Sequence, residues 1–340
     1  MIALADLIEE SIADWNAELE MVLFETADPA EIAQLIVEHV TRSLARPVSA
    51  VFYRPGVGIV VGLELQDGRR VVLKIHRWNV THQRLANIQR VQALFADQSL
   101  PAPRPLDPPT RLGNGLATVE EFLDGHDADG HQPQVRHSLV SSLHDLVNAA
   151  RSLPPIDVGT PALLRPPDAA LWPEPHALRF DFDATSEGAE WIDAAAHRAR
   201  QTLQDTVAGS PLVAHFDWRT ENLGFAGDDV VAIYDWDALG VADEAVVVGV
   251  TAAQFCSNWR LQHPVATVEE MRQFVDEYER LRQRPFDAVE RQRLDAANLA
   301  LIAYGARCQH ADMRLYPEIG GTEQDSWIGL LNARPAHVWA

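Results

Sequence analysis

Residues 214–223 read AHFDWRTENL and form the most informative stretch of the chain for its fold. His215 is followed two positions later by Asp217, and Asp217 is followed five positions later by Asn222, which gives the pattern H-x-D-x-x-x-x-N. In a chain of this length and composition the pattern is expected by chance roughly 0.03 times. We therefore interpret the stretch as a functional motif rather than as a polar loop.

A second acidic position follows the motif. The stretch VAIYDWD at 231–237 predicts an apolar strand that runs into Asp235. Mg²⁺ prefers oxygen ligands, which Asn222 and Asp235 can supply. Asp217 lies on the predicted loop before Asn222, where its carboxylate can accept a hydroxyl proton without competing for the metal ion. The set fits phosphoryl transfer, in which metal ions hold the nucleotide phosphates and a carboxylate orients the nucleophile.

The basic residues of the chain are 27 arginines and a single lysine, Lys74, near the end of a predicted strand. Composition alone leaves two interpretations open. One is a coding bias toward arginine, with Lys74 as a surface strand residue. The other is a requirement for a compact ammonium group at a phosphate, where a planar guanidinium does not substitute. The motif at 214–223 favours the second, because a nucleotide needs a cation at its α and β phosphates.

Length and composition narrow the function further. With 340 residues, of which 47% are hydrophobic and 23% charged, the chain is predicted to form two globular domains. Its formal net charge of −21 would repel a phosphate backbone, so nucleic acids are not expected as partners. No apolar run reaches the ~18 residues of a membrane span. The acidic N-terminus lacks the positive region of a signal peptide, and two cysteines fit a reducing compartment, so a cytoplasmic location is expected.

Hydrophobic periodicity predicts an α+β chain. Helical spacing marks residues 1–45, and β-branched residues with an Asp67-Gly68 turn then predict three antiparallel strands. These strands lie near 48–54, 59–66 and 69–76. A helix near 81–97 and a strand pair that ends within 119–125 follow. Beyond them the pattern is mostly helical, near 133–152, 187–207, 244–262, 267–282 and 287–310, with short strands within 211–239 and a proline-rich irregular stretch at 153–176.

These motifs resemble those of the aminoglycoside phosphotransferase and choline kinase superfamily, the small-molecule branch of the protein-kinase-like fold, over about residues 48–310. In that family the histidine of the catalytic loop precedes the aspartate base and the metal-binding asparagine, as His215 precedes Asp217 and Asn222. A strand resembling 233–237 then ends with the second metal ligand. Further family landmarks are found at 53–56, 72–74, 101–103 and 121–125.

The resemblance implies a bilobal α+β fold of the protein-kinase type. Residues 1–122 would form a small lobe built on an antiparallel sheet, and residues 123–340 a larger, mainly helical lobe. It also implies that Asp217 is the catalytic base and that Asn222 and Asp235 bind Mg²⁺. The residues implied to bind the phosphoryl donor, ATP or GTP, lie on the lysine strand, in the glycine turn and in the hinge: Lys74, Gly56, Gly58, Glu121 and Leu123.

The chain departs from the family pattern at its nucleotide-binding end. The family usually places a glutamate on the helix after the lysine strand, but no glutamate lies between Glu64 and Glu120. Asn87 stands near the expected position, with Gln83 and Gln89 close by. A neutral amide would hold the lysine less tightly than a carboxylate does. The glycine turn also departs from G-x-G-x-x-G.

From these residues we expect a Mg²⁺-dependent kinase that uses ATP or GTP to phosphorylate a hydroxyl group of a small molecule. An aminoglycoside-like antibiotic is the leading acceptor, and a sugar, an amino sugar or an amino alcohol stays open as the alternative. A hypothesis of another class is a pseudokinase-like module that binds nucleotide without turnover, motivated by the missing helix glutamate. The sequence leaves open whether two chains associate as a homodimer.

Overall fold

The computed structural model describes residues 3–77, 79–161, 164, 170–177, 179–258, 263–317 and 326–339. The chain divides into two compact units. Unit 1 comprises Met1–Asp97 and Ala102–Leu123, and unit 2 comprises Gln98–Pro101 and Asp124–Ala340. The main division therefore follows Leu123, one residue beyond the boundary expected from the sequence.

Unit 1 combines helices with an antiparallel sheet. Its described helices are α1 (Leu4–Trp15), α2 (Glu18–Phe24), α3 (Pro29–Thr41) and α4 (His82–Asp97). Its described strands are β1 (Pro47–Pro55), β2 (Ile59–Leu65), β3 (Arg70–His76), β4 (Pro105–Leu112) and β5 (Gly115–Glu121). The helical stretch predicted at 1–45 is divided into three helices, with breaks at Asn16 and Glu25, where the backbone turns through positive φ angles of 89° and 61°.

The sheet of unit 1 has the strand order β1-β2-β3-β5-β4, and each neighbouring pair is antiparallel. β2 and β3 are joined by the predicted Asp67-Gly68 turn, where the φ of +83° at Gly68 favours glycine. The register places Lys74 of β3 opposite Thr118 of β5. The three N-terminal strands expected from the sequence are confirmed.

One apolar core joins this sheet to the N-terminal helices. It contains Ile8 of α1, Leu23 of α2, Ile36 of α3 and the strand residues Val61 and Leu73, all nearly completely buried. Full burial of an aliphatic side chain of this size contributes roughly 1.5–3 kcal/mol. The acidic N-terminal helices are therefore an integral part of unit 1, packed against the sheet that carries Lys74.

Unit 2 is mainly helical. Its described helices are α5 (Pro133–Ala150), α6 (Glu190–Asp205), α7 (Glu244–Gln254), α8 (Val268–Arg282), α9 (Ala288–Leu315) and α10 (Trp327–Ala333). Its described strands are β6 (Pro211–His215), β7 (Leu223–Ala226), β8 (Asp229–Ile233) and β9 (Leu239–Asp243), which pair as β6 with β9 and β7 with β8.

Most elements predicted for this half are confirmed. Helix α7 ends at Gln254, earlier than the predicted end at 262, and α9 continues to Leu315, beyond the predicted end at 310. Strand β9, which begins where the predicted strand region ended, and helix α10 were not predicted. Three predicted stretches include residues that the structure does not describe: 1–2 of the N-terminal helical stretch, 259–262 of the helix predicted at 244–262, and 162–163 with 165–169 of the proline-rich stretch.

Helix α7 lies at the centre of unit 2. All 11 of its residues are buried, as expected for a helix that is apolar on every side. Gly249 allows close packing on α9, because a β-carbon there would collide with the backbone of Leu294. At the start of α7, Asp243 accepts the N–H of Val246 and forms a buried ion pair with Arg293 of α9 at 2.6 Å.

Two further findings bear on the class of protein. Within the described residues, no helix combines the length and the apolarity needed to cross a bilayer.

Cys256 and Cys308 are free, buried thiols, and burial raises the pKa of both. Because a thiolate is the reactive form of cysteine, both residues are packing groups rather than nucleophiles.

Candidate functional site

His215 ends strand β6 and ties the motif to the strand pair that follows it. Its Nδ1 accepts the N–H of Asp217 at 3.3 Å, so its ring proton lies on Nε2, which donates to the carbonyl of Tyr234 at 2.8 Å. The ring also packs edge-on against Trp218 and Trp236. Both ring nitrogens therefore shape the loop, and this histidine has a structural role rather than a role in proton transfer.

Asp217 and Asn222 are held against each other. Asn222 ends a 3-10 turn formed by Thr220–Asn222. Its Nδ2 donates to the backbone carbonyl of Asp217 at 2.9 Å and to the carboxylate oxygen Oδ2 at 2.6 Å. Because the amide nitrogen faces Asp217, the amide oxygen of Asn222 is directed away from it. The structure thus brings two of the predicted site residues into contact and orients an oxygen that can bind a cation.

Arg219 is a site residue that the sequence interpretation missed. Its Nε lies 3.1 Å from Oδ1 of Asp217, and its Nη2 lies 3.3 Å from Oε2 of Glu221. Burial alone would lower the pKa of this guanidinium, but the carboxylates of Asp217, Glu221 and Asp235 outweigh it and raise the pKa. The signal in the sequence was a basic residue placed inside an otherwise acidic motif.

Asp235 follows strand β8 in a left-handed backbone conformation, with a φ of +57°. Few residues other than glycine adopt this conformation, and aspartate and asparagine are among those that tolerate it. The preceding residue, Tyr234, donates its N–H to the carbonyl of Asn222 at 2.8 Å. This bond fixes the backbones of the two predicted metal ligands close together. A strained conformation held by such contacts is typical of functional positions.

The end of helix α7 and the residues after it support the motif loop. Gln254 donates its Nε2 to the carbonyl of Phe216 at 2.7 Å. Thr220 donates its N–H to the carbonyl of Phe255 at 3.0 Å and its hydroxyl to the carbonyl of Ser257 at 3.4 Å. The loop is thus fixed on one side of Asp217 by the last residue of α7 and on the other side by residues that follow this helix.

Lys74 of unit 1 is nearly fully buried and pairs with a carboxylate of its own sheet. Its Nζ lies 3.4 Å from Oε1 of Glu120 on β5, and the two side chains are 9% and 8% exposed. The interpretation of Lys74 as a surface strand residue is therefore wrong. The sequence interpretation missed Glu120, which it noted only as the end of the stretch without glutamate.

The predicted glycine turn lies beside the lysine strand. Gly56 and Gly58 connect β1 to β2, and the N–H of Gly56 donates to the carbonyl of Gly58 at 2.8 Å. A β-carbon on Gly58 would collide with the carbonyl of Ile75, the residue after Lys74. Glycine therefore keeps this turn in close contact with β3.

The two predicted hinge residues lie at the C-terminal end of unit 1. Glu121 ends β5, and Leu123 is the last residue of the unit. The N–H of Glu121 donates to the carbonyl of Arg104 at 2.9 Å, and its carboxylate accepts the N–H of Arg104 at 3.1 Å. The N–H of Glu121 is therefore used within unit 1, and the contact of Glu121 and Leu123 with a nucleotide base stays a prediction.

The donor set of the motif loop fits Mg²⁺. The acids around Arg219 outnumber it, so the loop is negatively charged. The two predicted oxygen ligands, Asn222 and Asp235, are too few to enclose an ion, but Mg²⁺ usually keeps waters and takes further ligands from substrate phosphates. Among the described residues, no three histidine, cysteine, aspartate or glutamate side chains form a metal-binding group. These residues therefore suit an ion that arrives with a nucleotide better than a structural zinc.

The family model described as "Phosphotransferase enzyme family" matches residues 61–284. A search of curated proteins found no match.

Solved structures of three antibiotic kinases are similar to this chain. Amicoumacin kinase hAmiN, in complex with AMP-PNP, Ca²⁺ and Ami, has a TM-score of 0.61 at 11% identity, over 82% of this chain and 85% of that one. A thermostable mutant of aminoglycoside phosphotransferase APH(4)-Ia has a TM-score of 0.53 at 14% identity, over 88% and 97%. Spectinomycin phosphotransferase APH(9)-Ia, in complex with ADP and spectinomycin, has a TM-score of 0.50 at 13% identity, over 90% and 95%. At these identities the likeness shows the fold, and the predicted kinase-like α+β class is confirmed.

Proposed function

Because the chain belongs to the phosphotransferase enzyme family, we propose that it transfers the γ-phosphoryl group of ATP or GTP to a hydroxyl group of a small molecule in a Mg²⁺-dependent reaction. The observation that carries this proposal is the contact of Asp217 with both Asn222 and Arg219, on a loop tied to the backbone beside Asp235. Phosphoryl transfer depends mainly on positioning and on electrostatic stabilisation, and this arrangement supplies both.

Asp217 is the proposed base. Its Oδ2 accepts a hydrogen bond from Asn222 and its Oδ1 lies beside Arg219, so the carboxylate is held in place. The hydroxyl group of the acceptor gives its proton to this carboxylate while its oxygen bonds to the γ-phosphorus. The bond between the γ-phosphorus and the bridging oxygen breaks, and its electron pair leaves with the nucleoside diphosphate.

Asn222 and Asp235 are the residues that would hold Mg²⁺. Both carry oxygen ligands, and the hydrogen bond from Tyr234 to Asn222 keeps their backbones together. When bound, the ion neutralises charge on the nucleotide phosphates. The strained backbone at Asp235 supports this role, because a position held in such a conformation is typical of a ligand-binding function.

Lys74 is the proposed cation for the α and β phosphates. Its burial beside Glu120 supports this role, because a buried ammonium is poorly hydrated and keeps a strong attraction for a phosphate. The glycine turn beside its strand and the hinge complete the proposed nucleotide contacts: Gly56, Gly58, Glu121 and Leu123.

An aminoglycoside-like antibiotic is the acceptor that we propose first. The net charge of −21 favours a cationic acceptor, and one of the similar structures is a spectinomycin phosphotransferase in complex with its antibiotic. A sugar, an amino sugar or an amino alcohol is the alternative, since each also presents a hydroxyl group. Two reduced thiols and the need for ATP or GTP support a cytoplasmic location.

The test is a coupled assay of ADP and GDP release with Mg²⁺, run over a panel of aminoglycosides, amino sugars, plain sugars and amino alcohols. The same panel is run with Asp217→Ala. We expect one acceptor class to give turnover that the variant loses. Mass spectrometry of the acceptor then shows whether it has gained a phosphoryl group. Nucleotide turnover that is equal in both proteins for every acceptor would contradict the proposal.

The alternative of a nucleotide-binding module without turnover was motivated by the missing helix glutamate. The carboxylate of Glu120 beside Lys74 weakens that motivation, because the charge is present on a strand instead. A module of this kind would bind nucleotide equally well with and without Mg²⁺. A kinase with Asn222 and Asp235 as ligands would show binding that depends on Mg²⁺.

A further inference from the structure

The register of the sheet in unit 1 brings Lys74 and Glu120 together. Lys74 lies opposite Thr118, and Glu120 lies opposite Val72. Side chains two positions apart on a strand share one face, so Lys74 and Glu120 are diagonal neighbours within reach of long side chains. Their charged atoms are 3.4 Å apart.

A helix residue fixes the other end of this carboxylate. Gln92 of α4 donates its Nε2 to Oε2 of Glu120 at 2.8 Å and to the backbone carbonyl of Pro103 at 2.6 Å. Gln92 is 2% exposed. The other two glutamines noted on this helix have different hydrogen-bond partners. Gln83 donates to the side chain of Asn87 on the same helix, and Gln89 donates to the backbone carbonyl of Asp107.

Lys74, Glu120 and Gln92 are all buried, so the way they pair affects the stability of the protein. A charge removed from water is strongly destabilising unless it is paired and hydrogen-bonded. Glu120 has Lys74 at one oxygen and Gln92 at the other, so both oxygens have a donor. The pair with Glu120 therefore orients the ammonium of Lys74.

We infer that Glu120, held by Gln92, positions Lys74 for the nucleotide phosphates. The carboxylate comes from the strand next to the lysine, and Gln92 of helix α4 contributes a neutral amide that orients this carboxylate. Both are positioning residues, since they act through Lys74. This inference rests on the proposed function, in which Lys74 meets the phosphates.

The inference predicts unequal effects for the two residues. Loss of the Glu120 charge removes a carboxylate that pairs with Lys74, whereas loss of the Gln92 amide only loosens Glu120. We expect Glu120→Gln to raise the dissociation constant of Mg²⁺–nucleotide about tenfold, and Gln92→Leu to raise it about threefold. Glu64→Gln is the matched control, because Glu64 is an exposed carboxylate on β2 of the same sheet.

A double-mutant cycle separates positioning from a general effect on stability. Nucleotide binding is measured by calorimetry for wild type, Lys74→Met, Glu120→Gln and the double variant, with thermal melting as a check of folding. If Glu120 acts through Lys74, Glu120→Gln weakens binding in the wild type and adds no further loss in Lys74→Met. An equal loss in both backgrounds would overturn the inference, as would wild-type affinity in a folded Glu120→Gln protein.

The single lysine of the chain allows a second measurement that needs no catalysis. An amine-acylating reagent modifies one ε-amine, which peptide mass spectrometry quantifies at Lys74. We expect slow acylation in wild type, severalfold faster acylation in Glu120→Gln and unchanged acylation in Glu64→Gln. Equal rates in wild type and Glu120→Gln would overturn the pairing. If Glu120→Gln does not fold, Gln92→Leu and Glu120→Asp carry the same comparison, and acylation rates like that of wild type in both would overturn it.

The two measurements distinguish a failed inference from a failed function. A wild-type protein that binds no Mg²⁺–nucleotide would refute the proposed function and with it the role of Lys74 toward phosphates. A wild-type protein whose binding is weakened by Lys74→Met but not by Glu120→Gln would keep the function and refute only the positioning by Glu120.

Discussion

The two units balance the charges of their ionised side chains in different ways. In unit 1, Lys74 is matched by Glu120, and both side chains are nearly inaccessible to water. In the motif loop of unit 2, Arg219 faces Asp217, Glu221 and Asp235, so the acids exceed the cation. A matched pair can hold its geometry without any ligand. An excess of carboxylates needs a further cation, and this difference is why we assign Mg²⁺ to the loop and a direct phosphate contact to the lysine.

The strongest way to test the acidic side of this comparison is to remove the proposed base. Asp217→Asn keeps the size of the side chain and loses its basicity, so we expect turnover to fall about a thousandfold while nucleotide binding is retained. Product release with the best acceptor of the panel measures the effect. Asp228→Asn is the control, because Asp228 is exposed at the turn between β7 and β8. Turnover above a tenth of the wild-type value in Asp217→Asn would exclude Asp217 as the base.

The second test addresses the need of the loop for a metal ion. Asparagine tolerates the positive φ found at Asp235, so Asp235→Asn removes charge with little change of backbone. Nucleotide at a hundred times its dissociation constant stabilises a protein by about 2.7 kcal/mol. We expect most of this stabilisation to require Mg²⁺ in wild type and to be lost in Asp235→Asn. Melting curves with Mg²⁺ or with EDTA measure it, and a nucleotide effect that is independent of Mg²⁺ in wild type would favour the binding module.

The third test removes Arg219, the cation among the carboxylates of the motif loop. Arg219→Met leaves the neighbouring acids uncompensated, so we expect the free energy of unfolding to fall by about 2–3 kcal/mol, with added Mg²⁺ restoring part of it. Arg219→Lys keeps the charge and should lose less. Chemical denaturation with and without Mg²⁺ measures both variants. If Arg219→Met were as stable as wild type, the excess of carboxylates in the motif loop would not affect the free energy of unfolding.

His131, on the segment before α5, forms an ion pair with Glu270 whose contribution to stability should depend on pH. A hydrogen bond with Cys256 and the pair with Glu270 at 2.8 Å raise the pKa of His131 to about 11. Burial alone would raise the pKa of Glu270, but His131 and the backbone of Thr267 lower it to about 2.

The pH dependence of this pair follows from the two shifts. The contribution of His131 is complete below pH 6.5, its ordinary pKa, and declines as pH rises toward 11. The contribution of Glu270 is complete above pH 4.5 and declines as pH falls toward 2. We therefore expect His131→Gln to lower the free energy of unfolding by about 1–2 kcal/mol near pH 5.5 and by less near pH 10.

Denaturation at a series of pH values measures this effect. His137→Gln is the control, because His137 is mostly exposed on α5 and its nearest carboxylate, that of Glu277, is 3.9 Å away. A loss in His131→Gln that is the same at pH 5.5 and pH 10 would contradict the assignment of the charge to this pair.

Local patterns in the sequence were sufficient for most elements of the fold. The Asp67-Gly68 turn and the alternation around it predicted the β2–β3 hairpin, because turn residues and side-chain period act within a few positions. The spacing in 214–223 likewise predicted that Asp217 and Asn222 act together, because a short loop confines both. The end of α7 at Gln254 was not predictable, since a run of apolar residues does not show where packing stops favouring the helix.

The sequence by itself established the motif, the α+β class and the lone lysine, because each of these is a property of residue type and short spacing. Tertiary structure was needed to pair Lys74 with Glu120 and Glu120 with Gln92, residues that lie far apart in the chain and meet only through strand register and helix packing. It was also needed to show that Arg219 lies half-buried among carboxylates. Whether a charged side chain is solvated or paired with an opposite charge depends on the residues that the fold brings around it, and no local sequence pattern carries that information.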